Sequence, residues 1–218
     1  MSNDTILIIG ESGSGKSTSI KNLDPRETFI VNVMGKSLPF KGYKNMYTSL
    51  NKDTNPNGNY FATTDYRVIS RLIDVVNKKE SIKTLIIDDF QYLMCSEFMD
   101  NAMNKGFDKF SMMAKNVWDL VKKLGECRDD LTCIVISHSN EDNGKSRFKT
   151  IGKMLDEKVV VEGLFTIVFH THVSDGRYLF VTQNDGFHTA KSPQGMFEYS
   201  HINNDLKEVL EKVKEYYQ

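Results

Sequence analysis

The 218-residue sequence predicts an α/β fold: a mostly parallel central sheet with helices on both faces, extended by an antiparallel β-hairpin toward the C-terminal end. Three observations predict it. Short apolar runs alternate with helical segments as far as His138, which is the pattern of βαβ units and a parallel sheet. The first run, Ile6 to Ile9, leads directly into Gly10-Glu11-Ser12-Gly13-Ser14-Gly15-Lys16-Ser17, which fits G-x-x-x-x-G-K-[ST]. From Leu164 the pattern turns to β, with two runs joined by Ser174-Asp175-Gly176, a strong hairpin signal.

The glycine-rich stretch is built for anion capture. Gly10, Gly13 and Gly15 let the backbone turn through angles closed to residues with a Cβ, so that successive N–H groups converge at a helix N-terminus. Lys16 would neutralise the outer phosphates of a nucleotide, and the Ser17 hydroxyl would hold Mg²⁺. A short helix then runs from Lys16 to Leu23, stopped by Asp24-Pro25 because proline disfavours helix at the residue before it.

Residues Thr28 to Val33 read as a second buried strand. It enters a loop, Met34 to Phe40, with Lys36, Lys41 and Lys44 close by; a solvated loop is as well favoured as a functional one. Residues 51–59 carry four asparagines, a proline and a glycine and read as a surface excursion. Thr64 or Asp65 can cap a helix with Val68, Ile69, Leu72, Ile73 and Val76 on one face. Leu85-Ile86-Ile87-Asp88-Asp89 follows, an apolar strand ending in two carboxylates. Placed about seventy residues after a phosphate loop, it has the form of a Walker B strand whose carboxyl end opens onto the ligand crevice. Asp88 would then hold Mg²⁺ through water, and Asp89 would lie near the terminal phosphate or cap the next helix.

Two helical stretches occupy residues 90–126, broken near Lys105-Gly106, and Trp118 in the second is expected as a core anchor. Thr132 to Ile136 is another buried strand, ending at Ser137-His138. His138 is either a residue that touches the terminal phosphate or a satisfied core histidine. The segment from Asn143 to Lys153 then carries Lys145, Arg147, Phe148, Lys149 and Lys153. It is a candidate single-stranded DNA contact, with an exposed lysine-rich loop as the alternative. The tail, Asn203-Asn204-Asp205 followed by Leu206, Val209, Leu210 and Val213, reads as a capped amphipathic helix. A main domain over residues 1–200 and a terminal helix over 201–218 are therefore expected.

Composition excludes several classes. With 39% hydrophobic and 26% charged residues and a net charge of −1, the chain is ordinary for a globular protein and lacks a broadly basic nucleic-acid coat. Its apolar runs fall short of the ~20 residues of a membrane helix, and nothing at the start resembles a signal peptide. Cys95, Cys127 and Cys133 lack metal-ligand spacing and read as reduced thiols. A cytoplasmic location without membrane contact is the expectation.

The order of phosphate loop, acidic strand, polar strand end and terminal hairpin resembles the RecA-like branch of P-loop ATPases. It is similar, in more detail, to the small AAA-type ATP-binding proteins of bacteriophages, a group that includes RecA-like single-strand annealing proteins. The similar stretches are Gly10–Thr18, Asn32–Phe40, Thr84–Met94, Gly106–Phe110, Ile134–Glu141, Lys149–Lys158 and His188–Phe197. The resemblance implies ATP and Mg²⁺ as ligands, with Gly15, Lys16, Ser17 and Thr18 on the nucleotide and Asp88 as the Walker B acid. It implies His138 as the terminal-phosphate sensor and a DNA-contacting loop over 141–153. It also implies that Lys191 reaches the active site of a neighbouring subunit, so that ATP lies at subunit interfaces; a phage single-strand binding or replication protein is a candidate partner. One departure stands out: RecA-like enzymes generally carry a glutamate just after the second strand, where this chain has Asn32-Val33-Met34-Gly35. Asp89 or Glu11 would have to take over as base, or hydrolysis is slow.

Overall fold

The structure is a computed structural model that describes residues 4–103, 106 and 108–218. Its strands are β1 (Thr5–Gly10), β2 (Thr28–Asn32), β3 (Tyr60–Ala62), β4 (Thr84–Asp88), β5 (Thr132–Asp142), β6 (Lys145–Phe148), β7 (Ile167–Ser174), β8 (Arg177–Val181) and β9 (His201–Asn203). The helices are α1 (Tyr43–Met46), α2 (Tyr66–Asn77), α3 (Gln91–Asp100), α4 (Asp108–Gly125), α5 (Lys153–Lys158) and α6 (Leu206–Tyr217). The break expected near Lys105-Gly106 falls between α3 and α4, with Lys105 outside the described residues.

One sheet runs in the order β3-β2-β4-β5-β1-β7-β8-β9, with β6 paired to β5. The pairs from β3 through β7 are all parallel, and β5–β6, β7–β8 and β8–β9 are antiparallel. The hairpin is thus anchored by its first arm, β7, which is itself a parallel neighbour of β1. Asp175 and Gly176 both take positive φ (50° and 73°), the geometry of the tight turn that joins two right-twisted strands.

Strand alternation divides the core in two. Leu7 and Ile9 face one way, into a cluster with the apolar residues of α2, α3 and α4, while Ile6 and Ile8 face the other, with Ile20, Phe169, Phe180 and α6. Both faces of β1 are therefore covered, and all six of its residues are buried. Asp65 caps α2 by accepting from the Arg67 N–H at 2.8 Å, and Asp205 caps α6 through the Lys207 N–H at 2.9 Å.

Three local expectations are corrected. The segment after the phosphate loop is a six-residue 3₁₀ helix, Ser17–Asn22, held at its start by Ser19 Oγ donating to the Lys16 carbonyl at 2.6 Å. Residues 201–203 are a strand, and the terminal helix begins at Leu206. Trp118 is 41% exposed, because Val117, Leu120, Val121 and Leu124 occupy the buried face of α4 and the indole lies beside it.

Candidate functional site

The loop between β1 and the 3₁₀ helix is shaped by two different demands on glycine. Gly13 and Gly15 have φ of 79° and 92°, where a side chain is strained. Gly10 is constrained by space: a Cβ there would lie 1.8 Å from Thr171 Oγ1 on β7. Thr171 also meets Ser14, whose Oγ lies 2.5 Å from Thr171 Oγ1 and donates to the Glu11 carbonyl at 2.6 Å. β7 thereby braces the back of the loop.

Parallel register brings the rest of the site to the same edge. His138 on β5 pairs with Gly10, and Asp88 on β4 pairs with Asn32 on β2, so the ends of four neighbouring strands open together. Beside them is a cleft of about 420 Å³ lined by Ser12, Gly13, Gly15, Lys16, Ser17, Thr18, Asn32, Lys36, Asp88, Asp89, Tyr92, His138 and Tyr178, among others. Gly10, Glu11 and Ser14 line a second cleft instead, on the β7 side of the loop, with Asn140, His170 and Phe187.

Within the first cleft, Lys16 is 7% exposed and folds back, donating to the carbonyls of Gly10 (2.9 Å) and Glu11 (2.6 Å). Burial lowers its pKa to about 8, against the opposing pull of Asp88 and Asp89. Ser17 Oγ donates to Asp88 Oδ1 at 3.0 Å. Burial, then the charge of Asp89, raises the Asp88 pKa to about 6. Asp89 sits at φ 61°, an uncommon conformation for a residue with a Cβ, and its two oxygens face different side chains. Lys36 Nζ is 3.0 Å from Oδ2, and His138 Nε2 is 3.5 Å from Oδ1. Burial raises the Asp89 pKa, but those two partners outweigh it and hold the carboxyl below its ordinary value. Tyr92 completes the cluster, edge-on to His138 at 5.5 Å and under the Lys36 ammonium at 4.7 Å.

These residues fit a magnesium-bound triphosphate. A serine hydroxyl and a buried carboxylate lie in contact, an oxygen pair suited to a hard cation. Asn32 Oδ1, buried in the lining, has no hydrogen-bond partner among the described residues and offers an acceptor beside Asp88. Lys16 has a flexible stem, and its ammonium donates to loop carbonyls beside the charges of Asp88 and Asp89.

Of the three lysines near the loop after β2, Lys36 is the one that lines the cleft. The main-chain carbonyl of Lys36 accepts from Asn32 Nδ2 at 3.0 Å, which ties the loop to the end of β2 and sets its side chain over the acid pair. Met34 is 41% exposed and does not line the cleft; Asn32 and Lys36 occupy that strand end.

Elsewhere the expected site residues separate. Phe148 is 3% exposed, packs against Phe90 at 6.3 Å, and donates its N–H to Glu162 at 2.9 Å, so its ring is closed to a nucleic-acid base. Arg147 lies 3.2 Å from Asp142 across the β5–β6 hairpin. Lys145 and Lys149 are exposed, while the side chain of Lys153 lies outside the described residues. Lys191 bridges to Val168 on the flank of β7, and it does not line the cleft of its own chain.

A phosphate loop on the first strand of a parallel sheet, a lysine and serine at its end, and an acidic strand opposite define a nucleotide-binding P-loop protein. A family model described as an AAA domain matches residues 2–194, and the chain belongs to that family. None of the curated proteins matches it. No helix of the described residues is long and apolar enough to cross a membrane.

Proposed function

We propose that this protein is a RecA-like ATPase of bacteriophage type that assembles on single-stranded DNA and promotes strand annealing in recombination or replication. The observation that carries the ATPase half is the meeting of Lys16, Ser17, Asp88, Asp89 and His138 in one cleft. Bound Mg²⁺ supplies charge neutralisation at the phosphates. Ser17 and Asp88 would hold it, Lys16 would pair with the outer phosphates, and Asp89 would orient the attacking water with His138 alongside. β5, inserted between β1 and β4, carries His138 to the place between phosphate loop and acid pair, a strand order in keeping with the RecA-like reading.

Support for DNA contact comes from the hairpin that continues β5 beyond His138. Lys145 and Lys149 are exposed there, and Ser146 N–H donates at 2.7 Å to the carbonyl of Phe187, an aromatic that is 69% exposed. Because β5 carries both His138 and this hairpin, the state of the phosphate site and the DNA surface share one strand. Lys191 reaching a neighbouring subunit, and ATP lying between subunits, belong to the same proposal.

A second reading, a slow-turnover switch that recruits another replication protein, is favoured by the state of Asp89. A carboxylate held below its ordinary pKa by the hydrogen-bonding partners His138 and Lys36 is a weak base. ATP turnover measured with and without single-stranded DNA, over a range of protein concentrations, separates the two. DNA stimulation and a rate rising faster than linearly with protein support the annealing ATPase. A slow rate indifferent to both supports the switch.

A further inference from the structure

The reactive groups of the cleft all lie on one flank of the phosphate loop. Asp88 ends β4 and Asp89 follows it, His138 lies within β5, and Lys36 follows β2, all on the same side of β1. A triphosphate whose terminal phosphate lies among them must leave the loop toward the other flank, where β7 and β8 stand. Tyr178, on β8, lines the cleft from that side.

Tyr178 lies on β8 opposite Val173, and its ring rests on the loop: a Cβ on Gly15 would come within 2.7 Å of Tyr178 Cδ1. The ring is half exposed, at 50%. Of the two tyrosines in the lining, Tyr92 is already engaged by Lys36 and His138, whereas Tyr178 meets no other aromatic ring and no cation among the described residues. Asn204 fixes the ring's strand from behind, donating its N–H to the Tyr178 carbonyl at 3.3 Å. The Asn204 side chain, 8% exposed, brings Nδ2 to the same glycine, and this donor has no partner among the described residues.

We infer that Tyr178 is the platform on which the base of a bound nucleoside triphosphate stacks, with Asn204 holding it against Gly15. This rests on the nucleotide-binding reading of the loop and adds the end of the site that no sequence motif marks. Every base has a π-face, so stacking here gives affinity without choosing between adenine and guanine.

The test is calorimetric titration of the full chain with Mg-ATP, Mg-GTP and inorganic tripolyphosphate, for the parent protein, Tyr178→Ala and Tyr178→Phe. The expected result is that Tyr178→Ala weakens both nucleotides by about tenfold or more and leaves tripolyphosphate unchanged, while Tyr178→Phe binds all three like the parent. Equal weakening of tripolyphosphate would mean that the ring only props the loop, and unaltered nucleotide binding would mean that it touches no base; either overturns the inference. If the parent protein binds neither nucleotide nor tripolyphosphate, the phosphate-loop reading itself fails and takes this inference with it.

Discussion

Ser17 Oγ donates a hydrogen bond to Asp88 Oδ1 at 3.0 Å, joining two residues 71 positions apart across β5. The contact places the hydroxyl and the carboxylate of the proposed cation site side by side, and Asp88 Oδ1 also accepts from the Asp89 N–H at 3.0 Å within a fully buried setting. Its raised pKa means that the folded protein binds this proton more tightly than the unfolded chain. Through this group, stability falls as pH rises from about 4 toward about 6. Asp88→Asn removes the charge, so the free protein should gain about 1–3 kcal/mol at pH 7 while losing magnesium-dependent nucleotide binding. Urea denaturation at pH 7, with and without Mg-ATP, measures both. A variant less stable than the parent would show that Asp88 is already satisfied.

Lys16 titrates at about 8 in the free protein, below the ordinary lysine value, because burial disfavours its charge. A bound triphosphate favours the ammonium, so binding above pH 8 should take up a proton, and affinity should fall with further rise in pH by up to about tenfold per unit. Titration calorimetry at pH 8.5 in two buffers of different ionisation enthalpy counts the protons. Zero uptake would place Lys16 fully charged before the ligand arrives.

Lys36 holds Asp89 in its weakly basic state. Lys36→Met should raise the Asp89 pKa, since burial would then be opposed by His138 alone, and should raise basal ATP turnover by about 2–10-fold as the carboxylate becomes a better base. Carbon NMR of the carboxylates and a phosphate-release assay read the two effects. A higher pKa accompanied by slower turnover would instead put the Lys36 charge on the phosphates.

What residue order reveals here is what local chain chemistry dictates. The Gly10–Ser17 spacing, the acidic end of β4, the Asp65 and Asp205 caps and the Asp175-Gly176 turn are each set by neighbours in sequence, and all are found. The place of Lys36 and Tyr178 in the cleft was not legible, because strand order alone carries β2 and β8 to opposite ends of it. Gly10 looked like a φ requirement and is a space requirement, since Thr171 lies 161 residues away. Phe148 misled for a related reason. In a basic run it reads as exposed, but β6 alternates sides and points that ring inward while its neighbours Arg147 and Lys149 stay at the surface.

That difference separates two aromatic residues experimentally. Phe148→Ala should cost about 3–5 kcal/mol of stability as a core truncation, whereas Phe187→Ala should leave stability within about 0.5 kcal/mol and weaken single-stranded DNA binding. Thermal denaturation and fluorescence anisotropy with a labelled oligonucleotide at low salt distinguish them. Loss of stability in Phe187→Ala, or unaltered DNA binding, would remove this face from the interface.

The central claim is a magnesium-dependent nucleotide site at Lys16 and Asp88. Its most direct test is titration calorimetry of the parent protein and Lys16→Ala with ATP in excess Mg²⁺. The account predicts saturable binding of one ATP per chain in the parent that is lost in the variant. No heat from the parent, or undiminished binding in the variant, would contradict it.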